Sequence, residues 1–191
     1  MKNEIPAIKS YKKMSTGDLV LIALFASLIT VSSWICVPAT VPFTMQTFGV
    51  FISVGLLGGR RGSLSVLLYL LLGAIGLPVF ANFSGGIGYL FGPTGGYIIG
   101  FLFTALLMWL IEVIYGNNIK ILAVSMVLGL IICYLLGTFW FAAVYSKNTG
   151  DIGFISAFGI CVIPYIVPDM MKIALALMLT KKLRPYILLN G

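Results

Sequence analysis

Histidine is absent from the 191-residue chain, and charged side chains make up only 9% of it, against roughly 25% in an average soluble domain. There is accordingly no HExxH motif and no Cys/His pair; GxSxG is missing too, and no second carboxylate accompanies Asp169 in its apolar run. The constellations that intramembrane proteases and hydrolases use are therefore lacking, since a lone aspartate does not make an aspartyl dyad. Cysteine is scarce. Cys36, Cys133 and Cys161 are odd in number, have no CxxC spacing and lie in or beside apolar runs, which reads as small core residues and not as a disulfide or metal site. The glycines of SGGIGYLFGPTGG are not followed by GK[ST], so they do not form a phosphate loop.

What the chain has instead is long uncharged runs. Residues 62–111 are 50 consecutive positions without Asp, Glu, Lys or Arg. As one helix they would extend about 75 Å, more than twice a hydrocarbon core of about 30 Å, so this stretch crosses a bilayer at least twice. Transmembrane β-barrels alternate apolar and polar residues over segments of about ten, whereas LIALFASLITVSSWICV and VSMVLGLIICYLLGTFWFAAV are solidly apolar. The expected class is an all-α membrane protein with six spans, at 19–37, 43–59, 62–77, 95–111, 121–145 and within 155–180.

An even number of spans puts both termini on one side. With the termini inside, the inner set holds Lys2, Lys9, Lys12, Lys13, Arg60, Arg61, Lys120, Lys181, Lys182 and Arg184, against Lys147 alone outside and Lys172 within a span. The positive-inside rule then makes both termini cytoplasmic. These basic residues, the source of the net charge of +7, cluster at the ends of apolar runs, which reads as topology and not as nucleic-acid binding. The first apolar run is longer than a signal h-region, and Trp34 and Ile35 stand where a cleavage site would need small residues, so it reads as a retained helix. The expected organisation is a cytoplasmic segment at 1–18, one membrane domain at 19–183 and a cytoplasmic tail at 184–191, with no room for a soluble catalytic or nucleotide-binding domain.

Three connections fall outside: PATVP at 38–42, PVFANFSGGIGYLFGPTG at 78–95 and SKNTGDIG at 146–153. The middle one is glycine-rich yet carries Phe80, Phe83, Tyr89, Leu90 and Phe91, too much apolar surface for a solvated linker. Either it folds down over the bundle, where protein satisfies its backbone groups, or it is an interfacial loop that caps the end.

Asp169 and Lys172 are the residues most at odds with their surroundings. Three positions apart, they share a helix face, and each charge at the centre of a span costs about 2.5–3.5 kcal/mol on an insertion scale. A structural ion pair and a polar site facing a cavity are both consistent with this. Pro164 and Pro168 interrupt the helix just before the pair, and broken helices at mid-membrane depth are where transporters hold substrates. Gln46, beside Thr44 and Thr47, is either a second site residue or an interhelical hydrogen bond. Asn82, Ser84, Tyr89, Thr94 and Tyr97 add neutral donors and acceptors on the same outer half. Such a pocket, with few polar groups among aromatic and aliphatic walls, suits a small amphipathic ligand. Ala23 and Ser27, four apart on the first span, form a small-xxx-small pair that serves either packing within the bundle or docking of another membrane protein.

Taken together, VPFTMQTFGV, GGRRGSLSVLLYLLLGAIGLPVF, GPTGGYIIGF and PYIVPDMMKIALA resemble the BioY family, the biotin-binding S components of energy-coupling factor (ECF) vitamin transporters, over residues 19–183. The resemblance implies the S-component fold, a bacterial plasma-membrane location and biotin capture on the outer side without catalysis or a cofactor. It also implies partners: a transmembrane coupling protein and two ATPase subunits that use the ATP. Ala23 and Ser27 match the position of an AxxxA-like contact for the coupling protein, with serine in place of the second alanine. Asn82 and Phe83 stand where relatives often have smaller residues. For biotin, Asp169 is expected to accept from ureido N–H, Lys172 to supply positive charge, Asn82 or Gln46 to complete the pairing, and Phe43, Phe83, Tyr89 and Tyr97 to wall the rings. The competing expectations are an S component for another vitamin and a stand-alone proton-coupled carrier titrating at Asp169; internal repeats common in such carriers are not apparent.

Overall fold

The computed structural model describes residues 14–39, 41–149 and 153–188. Lys2, Lys9, Lys12 and Lys13, Thr40, Asp151, most of the 1–18 segment and the end of the 184–191 tail lie outside the described residues. Helix α1, Thr16–Trp34, begins at a capping box in which Ser15 and Asp18 exchange side-chain-to-backbone hydrogen bonds, satisfying two of the free N–H groups of a helix start. Asp18 also pairs with Arg61 at 2.6 Å, tying the start of α1 to the start of the helix at Gly59–Ala74.

The chain then turns through a hairpin that span counting did not foresee. Cys36–Val37 (β1) pairs antiparallel with Phe43–Thr44 (β2), with Cys36 opposite Thr44 and Val37 opposite Phe43. Helices α2, Gln46–Leu57, and α3, Gly59–Ala74, run back and forth across a turn at Gly58, whose φ of 79° suits glycine. A loop with a short helix α4, Ile87–Leu90, leads to α5, Gly95–Tyr115, and α6, Ile119–Thr149. The last passage is divided: α7, Phe154–Cys161, a 3₁₀ turn at Ile163–Tyr165, and α8, Ile166–Leu188. Each expected span thus has its helical counterpart, but among the described residues four stretches are long and apolar enough to cross a membrane by length and composition: α1, α5, Ile119–Ser146 of α6 and Phe154–Tyr186. Helices α2 and α3, at 12 and 16 residues, reach about 18 and 24 Å. Helix α1 starts before residue 19 and α8 continues past residue 184, so the helices outrun the apolar runs at both ends.

The two ends of the bundle differ in character. One, the basic end, carries Arg60, Arg61, Lys120, Lys181, Lys182 and Arg184. Here the Glu112 carboxylate accepts from the Gly59 N–H and from Asn117, and lies 4.0 Å from Arg184, joining the α2–α3 turn, α5 and α8. At the other, the loop end, stand the hairpin, the 75–94 connection and the α7–α8 break. Between the ends, large apolar side chains such as Leu24, Val31, Leu110, Ile131 and Phe139 face outward, as lipid-facing helices require.

The 78–95 connection folds down onto the bundle in its first part. Val79, Phe80 and Ala81 are buried, and Phe80 packs edge-on against Tyr69 and parallel to Tyr89. Helix side chains satisfy its backbone: Ser33 donates to the Val79 carbonyl, Trp34 to Pro78 and Trp140 to Gly92. Its tip behaves differently. Asn82 and Phe83 both have φ of 56°, a left-handed pair of the kind for which turns favour glycine. Phe83 and Phe91 remain exposed, at 64% and 67%.

Gly73 on α3 lies against the Phe80 ring, and a Cβ there would run into that ring, which is fully buried. Gly73→Ala is expected to lower stability by about 1–3 kcal/mol through overpacking, read as a lower unfolding midpoint in detergent. Gly88→Ala, with nothing within 4 Å of its Cβ, is expected to stay near the original value.

Candidate ligand-binding site

A cavity of about 610 Å³, counting the space open at its mouth, occupies the loop-end half of the bundle. The broken last passage builds its floor. Pro164 sits in the 3₁₀ turn, while Pro168 falls in the first turn of α8 and does not interrupt it, because the first N–H groups of a helix have no intrahelical partner to lose. Asp169 therefore sits in the first turn of α8, where the helix dipole favours a carboxylate.

Asp169 and Lys172 form a buried ion pair, 2.7 Å apart, with each side chain 6% exposed. The Lys172 ammonium also donates to the Thr44 carbonyl at 2.7 Å and to Thr47 Oγ1 at 3.2 Å, and stands 4.0 Å from the centre of the Phe43 ring. Its three protons thus have three oxygens, and its charge is partnered by a carboxylate and an aromatic face. Asp169 receives, besides Lys172, the Thr47 hydroxyl at 3.2 Å and the Tyr134 hydroxyl at 2.5 Å. A carboxylate has about four lone-pair sites; these contacts use three, and Asp169 is among the residues that line the cavity.

Of the eight residues expected from sequence to meet a ligand, six line this cavity: Phe43, Gln46, Tyr89, Tyr97, Asp169 and Lys172. Gln46 also makes the interhelical bond that was its alternative reading, donating to Tyr69 of α3 at 2.5 Å and accepting from Thr44 at 2.9 Å. Tyr97 is bonded to Thr138 across the α5–α6 seam. Asn82 and Phe83 do not line the cavity: the left-handed turn points them outward, and the Phe83 ring packs on Trp34, 5.0 Å between centroids. Ala23 and Ser27 lie on an exposed face of α1, where Ser27 donates back to the Ala23 carbonyl at 3.0 Å.

Several cavity residues escaped the sequence reading. Tyr134 reaches Asp169 from α6, and Tyr165 stacks on Phe43 while donating to the Val41 carbonyl. Cys133 and Cys161, read as core, are buried and also line the cavity. A tyrosine within an apolar run raises no flag in a hydropathy pattern. Neither has another aromatic within four positions in the sequence, so no local pattern singled them out.

The fold and site together define a helical membrane protein with a small-molecule cavity that ends in one buried ion pair. The chain belongs to the BioY family, whose model matches residues 6–188. It is 40% identical over 172 residues to a probable biotin transporter BioY of Pyrococcus horikoshii, covering 90% of this chain and 98% of that one. It is 41% identical over 168 residues to the biotin transporter BioY of Thermotoga maritima, covering 87% and 95%. Among solved structures it resembles an S-component for biotin from an ECF-type ABC transporter, with a TM-score of 0.78, 26% identity, and coverage of 91% of this chain and 95% of that one.

Proposed function

We propose that the chain is the biotin-binding membrane subunit of an ECF-type importer, a transport subunit and not an enzyme. The observation that carries this reading is the buried Asp169–Lys172 pair at the end of an otherwise neutral cavity, in a chain similar along nearly its whole length to biotin transporters. Biotin has a flat ureido ring with two N–H donors and a carbonyl, an apolar thioether ring, and a valerate tail ending in a carboxylate. The free lone pair of Asp169 suits a ureido N–H, and the aromatic walls at Phe43, Tyr89 and Tyr97 suit the rings. Lys172 is already satisfied, and a ligand carboxylate beside Asp169 would meet like charge. The ureido end therefore faces the pair and the carboxylate faces the mouth. An analogue without the N–H would leave a desolvated carboxylate site unpaired, which is the source of specificity.

In this reading the six helical passages span the membrane as one domain over 19–183, with the basic end and the flanking segments 1–18 and 184–191 in the cytoplasm by the positive-inside rule. The cavity then opens outward from the plasma membrane. The short α2 and α3 are accommodated by their neighbours and by local thinning of the bilayer. Transport requires a coupling protein, docked on the Ala23–Ser27 face of α1, and two ATPases that supply the ATP chemistry. The ligand is biotin, with no cofactor of the chain's own.

The test is competition for labelled biotin on the purified chain. Unlabelled biotin is expected to displace it, and thiamine and riboflavin to leave it bound; displacement by either of those would redirect the assignment to another vitamin. Tyr134→Phe removes the donor to Asp169 at 2.5 Å and is expected to weaken biotin binding about tenfold without loss of fold, measured by the same titration.

A further inference from the structure

We infer that the cavity reads the ring end of its ligand and leaves the charge of the tail unread, so that neutral tail amides of the same ureido ring compound are ligands in their own right. This rests on the biotin reading above and extends it to a class of substrates. Among the described residues, Asp169 and Lys172 are the only acid and base that line the cavity, and they neutralise each other at 2.7 Å. Lys172 has no proton to spare, because Asp169, the Thr44 carbonyl and Thr47 take all three. The other residues that line the cavity, Val41, Pro42, Tyr89, Thr94 and Tyr165 among them, are all neutral. The hydroxyl of Tyr165 is already given to the Val41 carbonyl.

A carboxylate at the tail's end thus meets no described cation and keeps its hydration at the open mouth. A charge left in water before and after binding contributes little to affinity, whereas a donor that must fill a buried acceptor contributes much. Replacing the acid by an amide, or extending it through an amide to an amino-acid side chain, changes only the solvated part. The same geometry makes binding insensitive to salt, because surface screening acts on the exposed tail and not on the buried pair.

The experiment is a titration of the full chain in detergent with four ligands: biotin, its primary amide, its amide with the ε-amino group of lysine, and biotin methylated at a ureido nitrogen. Both amides are expected to bind within about fivefold of biotin, as for an unread solvated charge, and the ring-methylated compound to lose about a hundredfold or more. Biotin bound tightly while the primary amide falls by about thirtyfold or more would overturn the inference and leave the biotin assignment intact. Retention of the ring-methylated compound at the affinity of biotin would overturn it as well. Failure of biotin itself to bind folded protein would remove the biotin assignment, and this inference with it.

Discussion

Asp169→Asn and Lys172→Met are each expected to weaken biotin binding at least about a hundredfold, the scale of a lost charge-assisted contact together with an unpaired buried group. Each change also strands the other partner, with both side chains only 6% exposed. Breaking a buried pair from one side destabilises a protein by about 3–5 kcal/mol, so single variants confound folding with binding. The double variant, Asp169→Asn with Lys172→Met, separates them. Removing both charges is close to neutral for stability, so the double variant is expected to recover the unfolding midpoint while remaining unable to bind. A purely structural ion pair predicts the reverse for function: binding would return along with stability.

The second large effect concerns the face of α1. Ala23 and Ser27 are exposed one turn apart, and Ser27 folds its hydroxyl onto its own helix at 3.0 Å, leaving a low surface against which another helix can come close. Ala23→Trp or Ser27→Trp is expected to abolish co-purification with the coupling protein and to reduce ATP-driven biotin uptake about tenfold or more. Ser27→Ala should keep both, since it preserves the small profile. Biotin binding by the isolated chain is expected to be unchanged in all three variants, because this face is not part of the cavity. Uptake unaffected by either tryptophan would move the docking surface elsewhere.

The parts of this molecule legible in its sequence are those governed by solvation. Uncharged runs marked the helices because lipid tolerates little else, and Asp169 and Lys172 stood out because charge within an apolar run is costly. Direction was not legible. Asn82 and Phe83 belong to a polar, aromatic loop of suitable composition, but a left-handed turn aims them away from the cavity. The hairpin at Cys36–Val37 and Phe43–Thr44 is too short to carry a strand period, yet it presents the Thr44 carbonyl to Lys172. Pro168 looked like a helix breaker, whereas its position in the first turn of α8 makes it compatible with the helix it begins. Tyr134 acts through a partner 35 positions away, and no local pattern announces such a contact.

The most direct test of biotin capture by this chain is equilibrium titration of biotin into the purified chain alone, with folding followed on the same sample. Saturable binding of one biotin per chain is expected in the absence of any coupling protein or ATPase, and its loss on removal of the Asp169–Lys172 pair. Well-folded chain that binds no biotin by itself would contradict it.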